Sequence, residues 1–441
     1  MTIKLGLERM RALYGQHSPK WKPIHVAGTN GKGSICSFLS ALLTRNGVSH
    51  GRFTSPIMRR PEDSILINNE PIPTDLFRSF YESAGDTTRE DIATHFERMT
   101  YAAFKAFDHF DVKYGVVETG LGGRLDATNI LQNKAVTVIA KIGLDHQEYL
   151  GNTIEEIAAE KGAIMRREVP CVINQRNPPE ALGVLLNMAK DIGAKPVMTS
   201  PGSGDALSRA VIQRGVSQGW PEHMVDNAFC AAFAFSHLDG FSDDDAIASL
   251  DALPESPLEG RLQSLDISNT SFGKRFGRSR SIILDGAHNI DACRALEAHV
   301  SKTLRESESD PIVWVIAMSR PRGDQASEML SFINQHDSVI FTEYQFFDTR
   351  QDHPKYEDLT IAFRPRPLSS AELERIQSST SKTPEIGGIL LPSVSEALQE
   401  AVRIAGQRRQ DSAGYRELPI IVTGSLYLVG DILRLKDEIF A

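Results

Sequence analysis

The stretch His25-Val-Ala-Gly-Thr-Asn-Gly-Lys-Gly-Ser34 decides how the rest of the chain is interpreted. A short apolar run ending at Ala27 enters this glycine-rich turn, and from Ile35 onwards apolar residues recur at helical spacing. A strand, a glycine turn and a helix together suit a polyphosphate, because backbone N–H groups and the helix N-terminus attract its oxygens. Lys32 would neutralise the outer phosphates and Ser34 would ligand Mg²⁺.

The turn departs from the standard P-loop at two positions. Val26 stands where a glycine is expected five residues before the Gly31-Lys32 pair, and Gly33 separates Lys32 from Ser34. The alternative is a glycine loop of this composition that does not contact phosphate. The flanking strand and helix patterns favour a variant nucleotide loop.

Composition places the chain among cytoplasmic globular proteins. It has 441 residues, 41% apolar and 24% charged, which suits two or three domains. The net charge of −9 argues against binding to nucleic acid or to an anionic membrane, and no run approaches the roughly 20 apolar residues of a membrane span. The four cysteines are far apart in sequence, which predicts buried thiols in a reducing compartment.

Polar side chains follow two strands that the pattern predicts to be buried on both faces. The strand Tyr114–Glu118 ends in a carboxylate, and the apolar run 135–140 is followed by Asp145 and His146. Ligands of open α/β sheets lie outside the carboxyl ends of the strands, so these groups should lie at the same edge as the glycine loop. Glu118 and His146 are therefore candidate metal ligands, with buried structural roles as the alternative.

A lysine occupies an apolar helix face further along the chain. Thr153-Ile-Glu-Glu156 has the form of a capping box, and Lys161 lies on the apolar stripe of the helix that follows. A lysine at such a position either extends its amine to the edge of the core or is a desolvated amine with a lowered pKa and raised reactivity. The pattern leaves both interpretations open.

A second α/β series begins near residue 282. The strand Ile282–Leu284 runs into the polar glycine turn Asp285-Gly-Ala-His-Asn289, and the chain between Pro254 and Pro257 breaks the preceding pattern. We expect residues 268–280 to form an exposed hairpin or loop, and residues 345–383 to be a surface insertion. From the residues alone, an ATP-dependent transferase or ligase is favoured over a GTPase-like switch, because no Asn-Lys-x-Asp motif is present.

Eight motifs together resemble one enzyme family in order and spacing. They are 25–34, Thr54-Ser-Pro56, Glu118-Thr-Gly-Leu-Gly-Gly-Arg-Leu-Asp-Ala-Thr-Asn129, Asp145-His146, Glu160-Lys-Gly-Ala-Ile164, Gly260-Arg261, Asp285–Asn289 and Thr423-Gly-Ser-Leu426. The set, which spans nearly the whole chain, is similar to the folylpolyglutamate synthases and dihydrofolate synthases of the Mur ligase superfamily. This resemblance implies an α/β fold with a P-loop Mur-ligase-type ATPase domain, residues 1–258. A smaller Rossmann-like domain, residues 259–441, would follow it, with the active site between the two.

The resemblance implies an ATP-dependent ligation. A pteroate or folate carboxylate would attack the γ-phosphate of ATP, and the amine of L-glutamate would displace phosphate from the acyl phosphate. The implied cofactors are ATP, two Mg²⁺ ions and a monovalent cation, and the implied partners are small molecules only. The enzyme is expected to be a cytoplasmic monomer. Lys161 falls on the position that is carbamylated in this family, where it would help to ligand a second Mg²⁺.

Site residues are carried over from the family motif by motif. Catalytic roles fall on Lys32, His146 and Lys161, and the metal ligands would be Ser55, Glu118, His146 and carbamylated Lys161. ATP would be bound by Thr29, Asn30, Gly31, Lys32, Gly33, Ser34, Asn227, Arg261, Asp285 and His288. The pteroate would be bound by Leu5, Gly6, Thr94, His95, Phe96, Glu97, Leu125, Asp126 and Ala127.

Fewer residues bear on which acid substrate this member of the family uses. Gly122-Gly-Arg-Leu-Asp-Ala-Thr-Asn129 and the early Leu5-Gly-Leu-Glu-Arg9 resemble dihydrofolate-synthase-competent members, so we expect dihydropteroate to be the acid. Polyglutamylation of tetrahydrofolate is the alternative or a second activity. Two positions depart from the family's pattern: Ile57 replaces a common histidine, and the usual Lys-Asp pair is absent at 322–324. A cell-wall Mur ligase or a catalytically inactive binding protein fits the motifs less well.

Overall fold

The computed structural model describes residues 5–15, 19–85, 93–199, 202, 204–253, 259–307, 309–318, 330–344, 388–406, 409–411 and 414–439. The chain divides into two compact units, the first with residues 1–56 and 61–255 and the second with residues 57–60 and 256–441. The predicted boundary after residue 258 falls at the end of an undescribed stretch, 254–258, and stays a prediction. The predicted insertion at 345–383 and the segment 322–324 lie outside the described residues.

The first unit alternates strands and helices along most of its length. Its elements are α1 Glu8–Tyr14, β1 Lys22–Ala27, α2 Lys32–Arg45, β2 His50–Phe53, β3 Ile65–Ile67, β4 Glu70–Pro71, α3 Thr74–Ser83, α4 His95–His109, β5 Tyr114–Glu118, β6 Val136–Ile139, α5 Gln147–Leu150, α6 Ile154–Gly162, β7 Pro170–Asn174, α7 Pro179–Ile192, β8 Lys195–Thr199, α8 Ala206–Ser217, α9 Glu222–Ser236 and α10 Asp243–Ala248. Short 3₁₀ turns cover Pro61–Ser64, Ala127–Ile130 and Leu250–Ala252.

The strands of the first unit form an eight-stranded sheet in the order β4-β3-β2-β5-β1-β6-β7-β8. The strands from β2 to β8 in this order run parallel, whereas β3 and β4 pair antiparallel at one edge. The predicted buried strands β5 and β6 flank β1 on either side, as their continuous apolar runs indicated. The carboxyl ends of β1, β5 and β6 therefore lie side by side.

Two helices, α2 and α9, pack together next to the glycine loop. Helix α2 buries Ile35, Phe38 and Leu39, and these residues join a core cluster with the apolar residues of α9. Because α9 carries alanine and phenylalanine along most of its length, it packs closely against α2 and keeps a polar residue, Asn227, near the loop. The packing of α2 against α9 thus helps to fix the position of the loop.

The second unit has a six-stranded sheet in the order β13-β12-β11-β16-β10-β9. Its elements are β9 Gln263–Leu265, α11 Ser271–Phe276, β10 Ile282–Leu284, α12 Ile290–Thr303, β11 Val313–Ile316, β12 Ser338–Phe341, β13 Ile389–Leu390, α13 Val394–Ala405, β14 Arg409–Asp411, β15 Gly414–Arg416, β16 Ile420–Thr423 and α14 Leu426–Ile439. All strands of the six-stranded sheet are parallel except β9, and β14 and β15 form a separate hairpin. This is the α/β architecture that the sequence predicts for the second half.

The prediction of an exposed hairpin or loop at residues 268–280 is wrong. The segment forms α11, which buries Phe272, and Arg278 beyond it is only 4% exposed. The Arg278 guanidinium donates to the carbonyl oxygens of Arg280, Ser281 and Leu418. A basic, polar composition was a poor guide here because carbonyl groups of the fold satisfy the buried arginine.

The cysteines are as predicted: Cys36, Cys171, Cys230 and Cys293 are free and buried. Burial in apolar surroundings raises the pKa of the Cys171 thiol to about 12, so this thiol is protonated at neutral pH. Among the described helices, none is long and apolar enough to cross a membrane.

Candidate active site

Glycine is required at two positions of the turn between β1 and α2. Gly31, which precedes the first residue of α2, has φ 89°, and a Cβ there would lie 2.2 Å from Oδ1 of Asn227. At Gly28 a Cβ would lie 2.7 Å from the Cβ of Ala140. The turn can therefore approach its neighbours, and a ligand, only because these side chains are missing.

The end of β6 holds the turn through backbone hydrogen bonds. The N–H groups of Thr29 and Asn30 both donate to the carbonyl oxygen of Lys141, at 2.7 and 3.1 Å. The Thr29 hydroxyl donates to the carbonyl oxygen of Gly143 and accepts from its N–H. Thr29 therefore shapes the loop with its polar groups, which leaves the first-turn N–H groups of α2 for a bound anion.

Lys32, Ser55 and Glu118 meet beside this first turn. The Lys32 Nζ lies 3.9 Å from Oε1 of Glu118, and the Ser55 N–H donates to Oε2 of the same carboxylate at 3.1 Å. Glu118 is 3% exposed. A missing side chain at Gly33 leaves room above Glu118, since a Cβ there would lie 3.6 Å from Oε2. A carboxylate and a hydroxyl beside a phosphate loop are the oxygen ligands that Mg²⁺ uses together with phosphates.

Lys161 is buried and contacts the same turn. Its side chain is 4% exposed, and its Nζ donates to the carbonyl oxygen of Gly28 at 2.9 Å. Burial, and to a lesser extent the charge of Lys32, lower the pKa of Lys161 to about 7. Of the two sequence interpretations, the structure therefore favours the desolvated amine over a lysine that reaches the protein surface.

The glycine-rich loop after β5 fits against the helix that carries Lys161. A Cβ at Gly123 would lie 2.7 and 2.9 Å from the carbonyl oxygens of Glu160 and Lys161. The Arg124 N–H donates to the carbonyl oxygen of Glu160, and the Arg124 Nε donates to the Glu160 carboxylate. This close fit fixes the end of α6, and with it the position of the Lys161 amine.

A buried lysine and a half-buried arginine near the end of α6 were missed by the sequence interpretation. The Lys134 Nζ donates to Asn129 Oδ1 and to the carbonyl oxygen of Ile164, and Arg166 donates to the carbonyl oxygens of Ala163 and Asn129. Burial lowers the pKa of Lys134 well below its usual range. The signal for these positions was weak, because isolated basic residues in loops usually face solvent.

His146 lies at the end of the loop that holds Thr29. It adopts a left-handed conformation with φ 50°, and its Nε2 lies 3.9 Å from Oδ2 of Asp145. Its side chain is 47% exposed. Over the part of the chain that the structure describes, no three His, Cys, Asp or Glu side chains converge to hold a metal by themselves. A metal here would need the Ser55 hydroxyl, phosphate oxygens or water as further ligands.

Three of the segments predicted to bind pteroate meet at the carboxyl end of β5. The Gly6 N–H donates to the carbonyl oxygen of Leu125, which joins the N-terminal segment to the loop after β5. Phe96 lies against Gly120, where a Cβ would be 2.4 Å from its ring, and stacks at an angle on Phe53. A partly exposed aromatic ring beside a glycine suits a flat heteroaromatic ligand.

Several residues of the same segments are used by the fold itself. Asp126 is 2% exposed and accepts from the N–H groups of Leu121 and Thr128, and Ala127 beside it is 5% exposed. Thr94 and Glu97 form a capping box at the start of α4, and Glu97 also accepts from Arg9 Nε at 2.9 Å.

His95 is likewise engaged by the fold, because its Nδ1 lies 2.8 Å from the Tyr81 hydroxyl. Burial, and next the charge of Arg98, lower the pKa of His95 to about 3, so its ring is neutral. Sequence could not separate these structural contacts from ligand contacts.

In the second unit, Asp285 ties two segments together. Its Oδ2 accepts from the Leu262 N–H and its Oδ1 from the Ala287 N–H, both at 2.9 Å. Burial raises the pKa of Asp285, and the charge of Arg261 opposes this shift. The His288 Nδ1 lies 2.7 Å from the carbonyl oxygen of Gly286, and the Arg261 guanidinium lies beside the same glycine. The three predicted ATP contacts of this unit are therefore neighbours.

Two family models match the chain. Residues 26–214 match the Mur ligase middle domain, and residues 268–435 match the C-terminal domain of dihydrofolate synthetase. A probable dihydrofolate synthetase of Schizosaccharomyces pombe is 31% identical over 98% of this chain and 99% of its own. The dihydrofolate synthetase of Saccharomyces cerevisiae is 30% identical over 99% of both chains.

Solved structures share the fold of the whole chain. Escherichia coli FolC in complex with DHPP and ADP superposes with a TM-score of 0.71 at 23% identity, covering 99% of this chain and 94% of that one. The bifunctional folylpolyglutamate synthase/dihydrofolate synthase of Yersinia pestis, complexed with AMPPNP and a Mn ion, has a TM-score of 0.68 at 22% identity, covering 98% and 94%. At these identities the match concerns the fold alone.

Proposed function

This chain belongs to the dihydrofolate synthetase family of the Mur ligase superfamily, and from that premise we propose that it joins L-glutamate to 7,8-dihydropteroate at the cost of ATP. The observation that carries the proposal is the end-to-end match to two dihydrofolate synthetases, at 31% and 30% identity. The same match makes the chain an ATP-dependent ligase and disfavours a cell-wall peptide ligase.

The reaction has two steps. An oxygen of the dihydropteroate carboxylate attacks the γ-phosphorus of ATP, the bond to the β–γ bridging oxygen breaks, and ADP leaves. The amine of glutamate then attacks the acyl carbon, phosphate leaves with the C–O bond pair, and the amine loses a proton. Because the protein forms no bond to phosphorus, its contribution is positioning and charge neutralisation.

The residues of the first unit suit these tasks. Lys32 and the first-turn N–H groups of α2 would bind the β- and γ-phosphates, and Asn227 at the surface of Gly31 would contact the nucleotide. Glu118 and Ser55 fit a divalent cation, because the Ser55 N–H donates to the Glu118 carboxylate, so the two residues offer a carboxylate and a hydroxyl side by side. Such an ion neutralises phosphate charge when it is bound. Two Mg²⁺ ions and a monovalent cation are the finer form of this proposal, with His146 as a further ligand.

The Lys161 amine fits the proposed carbamylation. A carbamate forms when a neutral amine attacks CO₂ and loses a proton, and a pKa of about 7 leaves much of this amine neutral at physiological pH. The product would place a negative charge beside Gly28. Intact mass of the native protein tests for the added mass, and full activity of Lys161→Ala without added short carboxylates would contradict a role for the group.

The acid would lie along the segments that meet at β5. Phe96 offers a ring face for the pterin, and the Leu5, Gly6 and Leu125 backbone lies beside it. The remaining residues of these segments would shape the site through their contacts with the fold; they are Thr94, His95, Glu97, Asp126 and Ala127. In the second unit, Arg261, Asp285 and His288 would contact ATP.

The bifunctional name of the Yersinia protein favours a second candidate, the addition of glutamate to tetrahydrofolate. One substrate exchange separates the two. We expect phosphate release from ATP to require both dihydropteroate and L-glutamate, and to be lost in Lys32→Met. Release with tetrahydrofolate but not with dihydropteroate would make the first assignment wrong.

Free and buried cysteines support a cytoplasmic enzyme, and we propose that it acts as a monomer on small molecules alone. Light scattering at assay concentration measures the oligomeric state, and a stable dimer would contradict this part of the proposal.

A further inference from the structure

An arginine on the strand next to the candidate metal ligand Glu118 has a buried guanidinium nitrogen without an acceptor among the described residues. Arg52 is in the middle of β2, and its partner in the parallel register with β5 is Val116. Within the described residues its buried Nε has no hydrogen-bond partner. Arg52 as a whole is half-buried, and a buried guanidinium nitrogen without an acceptor calls for an explanation.

The register puts Arg52 and Glu118 on one face of the sheet. Gly51 points towards α4, since a Cβ there would lie 2.2 Å from the ring of Phe107. Side chains alternate along a strand, so Arg52 points the other way, towards α2. Glu118 follows Val116 by two residues and therefore shares that face. Strand spacing places the two Cα atoms about 8 Å apart.

The electrostatic interactions around Glu118 agree with this arrangement. Burial lowers the pKa of the Arg52 guanidinium, and the charge of Glu118 is among the groups that oppose the shift. Burial raises the pKa of the thiol of Cys36, the fifth residue of α2; the charge of Glu118 adds to this shift, and Arg52 and Lys32 oppose it. The candidate metal ligand thus has one cation beside the loop, with its Nζ 3.9 Å away, and a second cation deeper in the sheet.

We propose that Arg52 is a positioning residue that acts through Glu118: its positive charge keeps a divalent cation from the Glu118 site until a nucleotide supplies its phosphates. With Lys32 and Arg52 near one carboxylate, a free divalent ion meets repulsion at close range. The phosphates of ATP add several negative charges and reverse the sign of the local field. Metal and nucleotide would therefore bind as a unit.

This inference rests on the proposed use of nucleotide and metal, and is independent of the acid that is ligated. It is tested with Mn²⁺ and AMPPNP, without folate or glutamate, by the electron paramagnetic resonance signal of free Mn²⁺. For the unmodified protein we expect Mn²⁺ to bind at least about tenfold more weakly without AMPPNP than with it. Equal affinity in the two conditions would overturn the proposal without any variant.

The variant Arg52→Met gives a test in which the sign of the effect is decisive. Loss of the positive charge should tighten Mn²⁺ binding to the nucleotide-free protein roughly fivefold to thirtyfold. With AMPPNP bound the variant should stay within about twofold of the unmodified protein, since phosphate charge dominates. Arg52→Lys, which keeps the charge, should behave like the unmodified protein. Mere disturbance of the site would weaken Mn²⁺ binding instead.

Arg45→Met is the matched control. Arg45 lies at the other end of α2, about 20 Å from Lys32 along the helix, and pairs on the surface with Asp251. It should leave both Mn²⁺ affinities unchanged. A cooperatively folded Arg52→Met protein whose nucleotide-free Mn²⁺ affinity is unchanged or weaker would overturn the proposal, and Arg52→Gln is measured in its place if the methionine variant does not fold. Coupling of Mn²⁺ to AMPPNP in a protein that fails to ligate dihydropteroate would overturn only the proposed acid.

Discussion

Among the glycine turns that join a parallel strand to a helix, one in the first unit and one in the second use their polar groups differently. In the first, between β1 and α2, backbone N–H groups of Thr29 and Asn30 hold the turn to β6. This leaves the side chains of Lys32 and Asn227 at its surface for a ligand. The shape of this turn thus depends on main-chain contacts and on the Thr29 hydroxyl, while Lys32 and Asn227 are the side chains proposed to contact a ligand.

The second turn, between β10 and α12, is held by its own side chains. Asp285 accepts from two backbone N–H groups, and the Asn289 side chain caps α12 by accepting from the Ala292 N–H. His288 contacts the carbonyl oxygen of Gly286. A residue in a motif can therefore shape a turn, contact a ligand, or do both, and only the hydrogen-bond partners tell these roles apart.

The largest expected effect tests the first turn. Lys32→Met should lower kcat/KM about a thousandfold while circular dichroism stays native, because the phosphoryl group would lose its main neutralising charge. Lys141→Met is the matched control at the same sheet edge, since the Lys141 amine contacts the carbonyl oxygen of Arg176. A Lys32→Met enzyme with a tenth or more of the native activity would place the phosphates elsewhere.

The buried amine beneath the first turn should appear in the pH dependence of stability. The pKa of Lys161 is about 7 in the fold against an ordinary value of 10.5, so between these pH values the unfolded chain binds a proton that the native chain lacks. The free energy of unfolding should therefore rise with pH relative to Lys161→Met, by up to about 1.4 kcal/mol per pH unit. The measurement is urea unfolding at pH 7, 8 and 9 in CO₂-free buffer.

Lys190→Met, on an exposed position of α7, is the control for that series. It should run parallel to the unmodified protein at all three pH values. If the free energy of unfolding of Lys161→Met also changes with pH in parallel with the unmodified protein, the Lys161 amine is charged in the native fold. That result would contradict both the lowered pKa and the proposed carbamylation.

Asp285→Ala should act mainly on stability, as the comparison of the two turns requires. Two backbone N–H groups would lose their acceptor, at a cost of about 2–3 kcal/mol in the free energy of unfolding. Ser307→Ala, at an exposed position of the same unit, is the control. Chemical denaturation followed by fluorescence of Trp314, which is buried in the second unit, measures the change. An unchanged unfolding curve with lost ATP affinity would make Asp285 a ligand contact first.

The smallest expected effect is that of a substitution beside the first turn, to be compared with Asp285→Ala in the second. Asn227→Ala should weaken ATP binding about tenfold, equivalent to about 1.4 kcal/mol, with little change in stability. Its side chain lies at the surface of Gly31 and makes no hydrogen bond to another described residue. Isothermal titration with AMPPNP measures the affinity. If Asn227→Ala lowers the free energy of unfolding by more than it lowers the free energy of ATP binding, the two turns do not differ in the way described.

Much of the fold was predictable because it follows from local patterns. Continuous apolar runs at β5 and β6 indicated buried parallel strands, and Thr153 with Glu156 indicated the start of α6. The prediction of an exposed loop at residues 268–280 failed, because composition does not tell which backbone carbonyl groups will accept hydrogen bonds from a given arginine. Arg278 is satisfied by Leu418, 140 residues away in sequence.

The candidate site was predictable in its list of residues and not in their tasks. Lys161 and Glu118 were singled out by position alone, and the structure brings both to the glycine turn or its first helical turn. Lys134 and Arg52 were missed, because nothing in sequence separates a buried cation from a solvated one. Their environments come from strands and loops that are distant along the chain.

By itself, the sequence determined the order of strands and helices, the glycine turn and the set of polar residues at strand ends, because these depend on periodicity and on short-range backbone sterics. Only the tertiary structure decided which polar groups are used up by the fold and which are left for a ligand. Thr29, Asp126 and Asp285 accept or donate within the protein, whereas Asn227 lies at the loop without a partner in the described chain. Hydrogen bonding and burial are properties of neighbours in space, and those neighbours are set by packing.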